Sequence, residues 1–167
     1  MKRTATGLIL LLVSIFILNA CTNSIGGEWR IMDFDERTAN KKMNQVVKAL
    51  EKEDKNALKE LFSQQAIEEA ENFDESLDYL FEIFQGKLKP YDLDLGHVGQ
   101  KLENGKRERE VESYFSINVG EESYSFFLVD YPINTLNPEN AGLYTLRVTN
   151  YEEDLSWQEK NFRVYTY

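Results

Sequence analysis

Glu103-Asn104-Gly105-Lys106, with Val111-Glu112-Ser113-Tyr114-Phe115-Ser116-Ile117-Asn118-Val119 just behind it, sets the architecture of the second half of this 167-residue chain. Asn-Gly accepts positive φ at both central positions of a two-residue hairpin, so a strand is predicted on each side of it. The stretch behind it alternates. Val111, Ser113, Phe115, Ile117 and Val119 take one face; Glu112, Tyr114, Ser116 and Asn118 take the other. Period two is the mark of a half-buried strand. Leu93, Leu95 and His97 open the strand before the hairpin, and Gly120-Glu121-Glu122 makes the next turn. Tyr124 to Tyr131 is apolar on both faces, which predicts a central strand covered on both sides. Pro132 to Gly142 reads as a long polar loop and Leu143 to Tyr151 as a fourth strand. The tail Trp157 to Tyr167 adds a last short strand.

Upstream of Pro90 the period is that of helices. Ala39, Met43, Val46, Val47 and Leu50 recur at three and four and form one apolar stripe, with Asp33 or Asp35 as the cap. Asp54 caps a short helix carrying Ala57, Leu58, Leu61 and Phe62. Ser63 caps another with Ala66, Ile67 and Ala70. Asp74 starts a strongly apolar helix with Leu77, Leu80, Phe81 and Phe84 on one side and Tyr79 and Ile83 widening the stripe. Gly86 suits a left-handed C-terminal position, and Pro90 stops continuation. Helices first and an antiparallel meander after them is the α+β pattern: one helical layer on a sheet of about four strands. A single block of helices covers one sheet face. The second apolar face of the third strand then calls for the C-terminal tail or for another copy of the chain, a homodimer through the sheet face.

The chain begins with basic Lys2 and Arg3, then the apolar run Gly7 to Leu18, then Leu18-Asn19-Ala20-Cys21. This is the plan of a secretory signal peptide. The run is shorter than the ~20 residues that span a bilayer as a helix. Leu18-Asn19-Ala20-Cys21 resembles the lipobox of bacterial lipoproteins. The resemblance implies removal of residues 1–20, diacylglycerol on the Cys21 thiol, and palmitate-type acyl chains holding the protein to the extracytoplasmic face of the cell membrane. Two acyl chains hold stably where one is marginal. The plain alternatives are a cleaved signal with a stray thiol and an uncleaved anchor. Residues 21–35 then read as the lipidated cysteine and a tether, flexible at Gly26-Gly27, and residues 36–167 as a single domain.

Cys21 is the only cysteine, so the domain has no disulfide and depends on its core. Of 19 basic side chains, Lys2 and Arg3 leave with the signal. The remaining 17 face 29 acidic ones, a charge of −12 with His97 neutral. Such a surface repels phosphate backbones and anionic headgroups, which argues against nucleic acid as a partner and leaves membrane attachment to the lipid. All 9 Tyr, both Trp and all Phe but Phe16 lie beyond Cys21, enough rings for a well-filled core or an aromatic-lined pocket.

Candidates for chemistry are few. His97, the only histidine, has the pKa range for proton transfer near neutrality; the ordinary reading is a strand-start histidine with a local hydrogen bond. Asp130, set in an apolar strand before Tyr131-Pro132, either closes the strand end or faces a cavity. Asp94 and Tyr114 are further acid–base candidates. Asn134, Thr135 and Glu139 offer polar groups on the long loop, which rigid turns also explain. Arg147 would bind an anion or pair with a neighbouring carboxylate. One histidine and one cysteine make no usual zinc site, the acidic runs lack the alternation of a calcium loop, and no nucleophile elbow, P-loop or dinucleotide fingerprint occurs. No metal or cofactor is expected.

Leu61-Phe62-Ser63, the helix ending at Gly86, Val129-Asp130-Tyr131 and above all Asn137-Pro138-Glu139-Asn140-Ala141-Gly142-Leu143-Tyr144-Thr145-Leu146-Arg147-Val148 resemble an uncharacterised family of small Gram-positive lipoproteins. The likeness runs from about Phe34 to Val164 and is most specific in the loop-and-strand segment. That family looks like a member of the cystatin-like, nuclear transport factor 2-like folds, in which a helical layer is wrapped by a curled sheet into a cone with a cavity. The resemblance implies fold and envelope location and no activity, since this shape hosts isomerases, dehydratases and binding modules alike. The expected function is therefore an envelope lipoprotein that binds a small apolar ligand, a peptide or a protein partner. The alternatives are a small isomerase- or hydrolase-like enzyme using His97 or Asp130, and a structural accessory subunit.

Overall fold

The computed structural model describes residues 22–84, 87–150 and 162–163. The signal segment, Cys21, Gly86 and most of the aromatic tail, Trp157 included, lie outside the described residues. Among the described residues four helices come first: α1 (Thr22–Glu51), α2 (Lys55–Lys59), α3 (Gln64–Glu69) and α4 (Phe73–Ile83). The strands follow: β1 (Lys89–Glu103), β2 (Lys106–Val119), β3 (Glu122–Asn134), β4 (Gly142–Asn150) and β5 (Phe162–Arg163), with a 3-10 turn at Pro138–Asn140. They form one antiparallel sheet in the order β1-β2-β3-β4-β5. This is the α+β architecture read from the two periodicities, with β5 as the short last strand.

Two compact units divide the chain, Met1–Asp35 and Glu36–Tyr167. The expected tether differs: α1 begins at Thr22 and runs through Gly26-Gly27, and Asp33 and Asp35 lie inside it rather than at its cap. Glycine weakens a helix without forbidding it, and no proline interrupts the ladder between Thr22 and Glu51.

In the second unit the predicted stripe of α1 is buried from Ala39 to Leu50. Asp54 accepts from the Ala57 N–H and Ser63 from the Ala66 N–H, the two caps expected for α2 and α3. At α4 the cap position belongs to Asn72; Asp74 sits in the first turn, where its charge suits the helix N-terminus and pairs with Lys59. Phe84 lies over the sheet, its ring 4.8 Å from Tyr124 and 5.1 Å from Phe126, both edge-on. With Leu80, Leu128 and Leu146, all fully buried, these rings fill the space between helices and sheet.

The hairpin is as read, with Asn104 at φ 50° and Gly105 at φ 78°, closed by the pair Glu103–Lys106. Three other features were not. β1 carries two bulges, at Asp92 and at Gly96-His97. Pro132 belongs to β3, not to a loop. Tyr131 and Pro132 together oppose Glu110, and a bulge tolerates the missing N–H. The loop therefore shrinks to Thr135–Ala141. Finally, β3 is buried on one face only: Tyr124, Phe126, Leu128 and Asp130 are covered, whereas Phe127, Val129 and Tyr131 are half-buried.

The junction of α2 and α3 is tied to the start of β4. Ser63 N–H donates to Leu143 O at 2.8 Å, and Leu143 N–H to Leu61 O at 2.9 Å. Ser63 Oγ also donates to Asn140 Oδ1 at 3.2 Å. Ser63→Ala removes both side-chain bonds and should cost about 1–2 kcal/mol. The check is a lowered urea midpoint with unchanged slope; an unmoved midpoint would contradict the assignment.

Candidate functional site

The interior face of the sheet carries a charged pair. Asp130 is 3 % exposed, in line with Leu128 and Phe126. Lys42 of α1 reaches it, Nζ 2.9 Å from Oδ1, and among the described residues no neutral hydrogen-bond donor joins this ion pair at either carboxylate oxygen. Burial pushes the Asp130 carboxyl above its ordinary range, and Lys42 pulls part of the way back. Arg109 and Ser113 of β2 are buried on the same face, Arg109 donating to Gln100 at 3.1 Å.

His97 is elsewhere. Val98 pairs with Val111 and Val111 with Asp130, so these three share the interior face. The His97 ring instead lies beside Gly99 and Glu110, on the outer face, and is exposed. The backbone N–H of His97 donates to Glu112 Oε2 at 3.3 Å. The sheet thus stands between His97 and Asp130, and the two do not form one acid–base pair.

Tyr114 and Arg147 do come together. The register Asp94–Tyr114–Phe127–Arg147 makes one cross-strand row on the outer face. The Tyr114 and Phe127 rings are 4.7 Å apart, and the Arg147 guanidinium lies 4.7 Å from the Phe127 centroid. Such a contact is worth about 0.5–1 kcal/mol at a solvated site. The adjoining row is Glu112–Val129–Thr145. Beyond it Tyr131 donates to Glu110 at 2.6 Å and meets Tyr144 edge-on at 5.8 Å. Burial and then the bond to Glu110 hold the Tyr131 phenol protonated well past neutral pH.

The loop candidates are used structurally. Asn134 donates to Glu108 at 3.0 Å and accepts from the Asn137 N–H at 2.8 Å. Thr135 clasps the Arg107 backbone: its N–H donates to Arg107 O and its Oγ1 accepts from Arg107 N–H, each at 2.8 Å. Glu139 is exposed. Between α1 and α2, Lys52–Asn56 line an open surface hollow of about 620 Å³.

Two features escaped the sequence reading. Lys42, i+3 from Ala39 and i−4 from Val46, stands on the flank of the apolar stripe; a lysine in that position was the available signal for a buried partner. The pairing of Tyr131 with Tyr144 was not legible, because a bulge at Tyr144 shifts the β3–β4 register.

Residues 45–153 match a family described as a domain of unknown function, DUF5104. The chain belongs to the DUF5104 family. The DUF5104 match runs from the second half of α1 to just past β4, so it contains the outer-face rows and Asp130 but begins after Lys42. No curated protein matches the chain. Among the described residues no helix is long and apolar enough to cross a membrane, and no group of three or more potential ligands could hold a metal ion.

Proposed function

We propose that this DUF5104 chain is a lipid-anchored protein of the extracytoplasmic membrane face that works as a binding module, docking a protein partner on the outer face of its sheet. The carrying observation is the half-buried row Tyr114–Phe127–Arg147 with Val129 and Tyr131 beside it. A sheet face left to water normally alternates to polar residues, as β2 does here with Glu110, Glu112, Ser116 and Asn118; β3 departs from that rule at Phe127, Val129 and Tyr131. A half-buried aromatic row ending in a guanidinium suits a macromolecule better than a small ligand. The Leu18-Asn19-Ala20-Cys21 stretch supports the anchor, and helices on one face of a curled sheet are compatible with the cystatin-like, nuclear transport factor 2-like reading.

A second reading, proton transfer by a small isomerase- or hydrolase-like enzyme, has one observation in its favour: Asp130 is buried against Lys42 and its pKa is shifted upward by that burial. In that reading Lys42, not His97, is its partner. The separation of His97 from Asp130 weighs against the paired version.

The anchor is tested by Cys21→Ala expressed in the native envelope. A fatty-acid label should enter the parent protein and vanish from the variant, which should appear in the medium or keep its leader. Label persisting in Cys21→Ala would refute the assignment.

A further inference from the structure

We infer that the partner on the outer sheet face is a second copy of this chain, the two sheets stacked about a two-fold axis that runs along β3. The inference rests on the reading of that face as a docking surface and names its occupant. The face carries its own complement. Glu110 and Glu112 lie on β2, Arg147 lies on β4, and the apolar positions Phe127 and Val129 of β3 lie between. An axis along β3 sets β3 against itself and lays β2 of each protomer over β4 of the other. Phe127 and Val129 then meet their own copies. Arg147 falls on the row of the partner subunit's Tyr114, one row from the partner subunit's Glu112. The reciprocal contact is made at the same time, as an isologous interface requires. Stacked sheets lie about 10 Å apart, a gap that long side chains such as Arg and Glu from neighbouring rows can bridge.

The other occupants fit less well. A neutral partner would bury Arg147 and Glu112 with no charge to answer them, which is costly. A basic partner would suit the β2 carboxylates and oppose Arg147. The described part of the C-terminal tail, Phe162–Arg163, is taken up as a strand beside β4, in register with Arg147 and Val148, and is not stacked over the outer face.

The test uses the full chain in its native membrane with Val129→Cys and a bis-maleimide whose span is about 10 Å, the spacing of stacked sheets. Val129→Cys should cross-link to a dimer. The parent chain, whose one cysteine is Cys21, and Lys48→Cys on the exposed side of α1 should not. Arg147→Glu should cut the cross-link at least about tenfold by setting like charges together, and adding Glu112→Arg should restore it. The inference is overturned if Val129→Cys stays monomeric, whether or not it reacts with a monofunctional maleimide. It is also overturned if Arg147→Glu changes nothing, or if Glu112→Arg fails to restore the dimer. Failure of the anchored-module reading appears separately, in the acyl label and fractionation of Cys21→Ala.

Discussion

Gly142→Val should lower stability by about 3 kcal/mol or more, a large part of the 5–15 kcal/mol available to a domain, and lower the melting temperature by roughly 10 °C. Two causes add. Gly142 has φ 125°, a conformation that costs a side-chain-bearing residue about 1–3 kcal/mol. A Cβ there would also stand 3.1 Å from Leu61 O and 3.2 Å from Ser63 N. Those two backbone groups are the ones that bond Leu143, so the strand cannot move away without breaking the tie between the α2–α3 junction and β4. Each backbone group left buried and unpaired adds about 1–3 kcal/mol. Gly105→Ala is the control: φ is 78° there, nothing lies within 4 Å, and backbone strain alone should cost about 1–2 kcal/mol. Equal losses at the two glycines, or a parent-like melting curve for Gly142→Val, would show that crowding at β4 has been misread.

Lys42→Met should be the more costly at neutral pH and nearly harmless in acid. Removing one partner of a buried pair costs about 3–5 kcal/mol because the other charge is left without compensation. Asp130 has an escape that most such groups lack. Burial already raises its folded pKa above the unfolded value of 3.8. Between the unfolded and the folded pKa the native state holds the extra proton, so this group's contribution is present in acid and is lost as pH rises through the folded value. Deleting Lys42 takes away the group that pulls that pKa down, and the window widens toward neutrality. The difference in stability between Lys42→Met and the parent should therefore be large at pH 7.5 and shrink steadily toward pH 4. Adding Asp130→Asn should recover most of the loss at pH 7.5. Urea unfolding of the parent, Lys42→Met, Asp130→Asn and the double variant across pH decides it. A pH-independent cost for Lys42→Met, or additive costs in the double variant, would mean that the pair is not coupled as described.

The fold was legible where one residue type has one physical use. Asn104-Gly105 takes positive φ at both positions, and Asp54 and Ser63 satisfy helix N–H groups. The periodicities of Ala39 to Leu50 and of Val111 to Ile117 assign their buried faces directly. Legibility failed where a bulge intervenes. Pro132 reads as a loop residue until Tyr131 and Pro132 are seen opposing one residue of β2, and His97 reads as a strand opener until the bulge turns its ring to the outer face. The same limit governs the site. His97 and Asp130 were each sensible candidates, yet which face a side chain takes depends on register, and one inserted residue reverses it. Lys42 shows a different limit, a charged residue that the sequence does not single out because its partner is 88 positions away in the chain.

The anchor is the most exposed claim of this account. Mass spectrometry of the N-terminal peptide, from protein extracted with detergent from its own membranes, tests it directly. The predicted peptide begins at Cys21, lacks residues 1–20 and carries a diacylglyceryl group on sulfur. A peptide with a free Cys21 thiol, or one that still carries Leu18-Asn19-Ala20 ahead of it, would contradict the account.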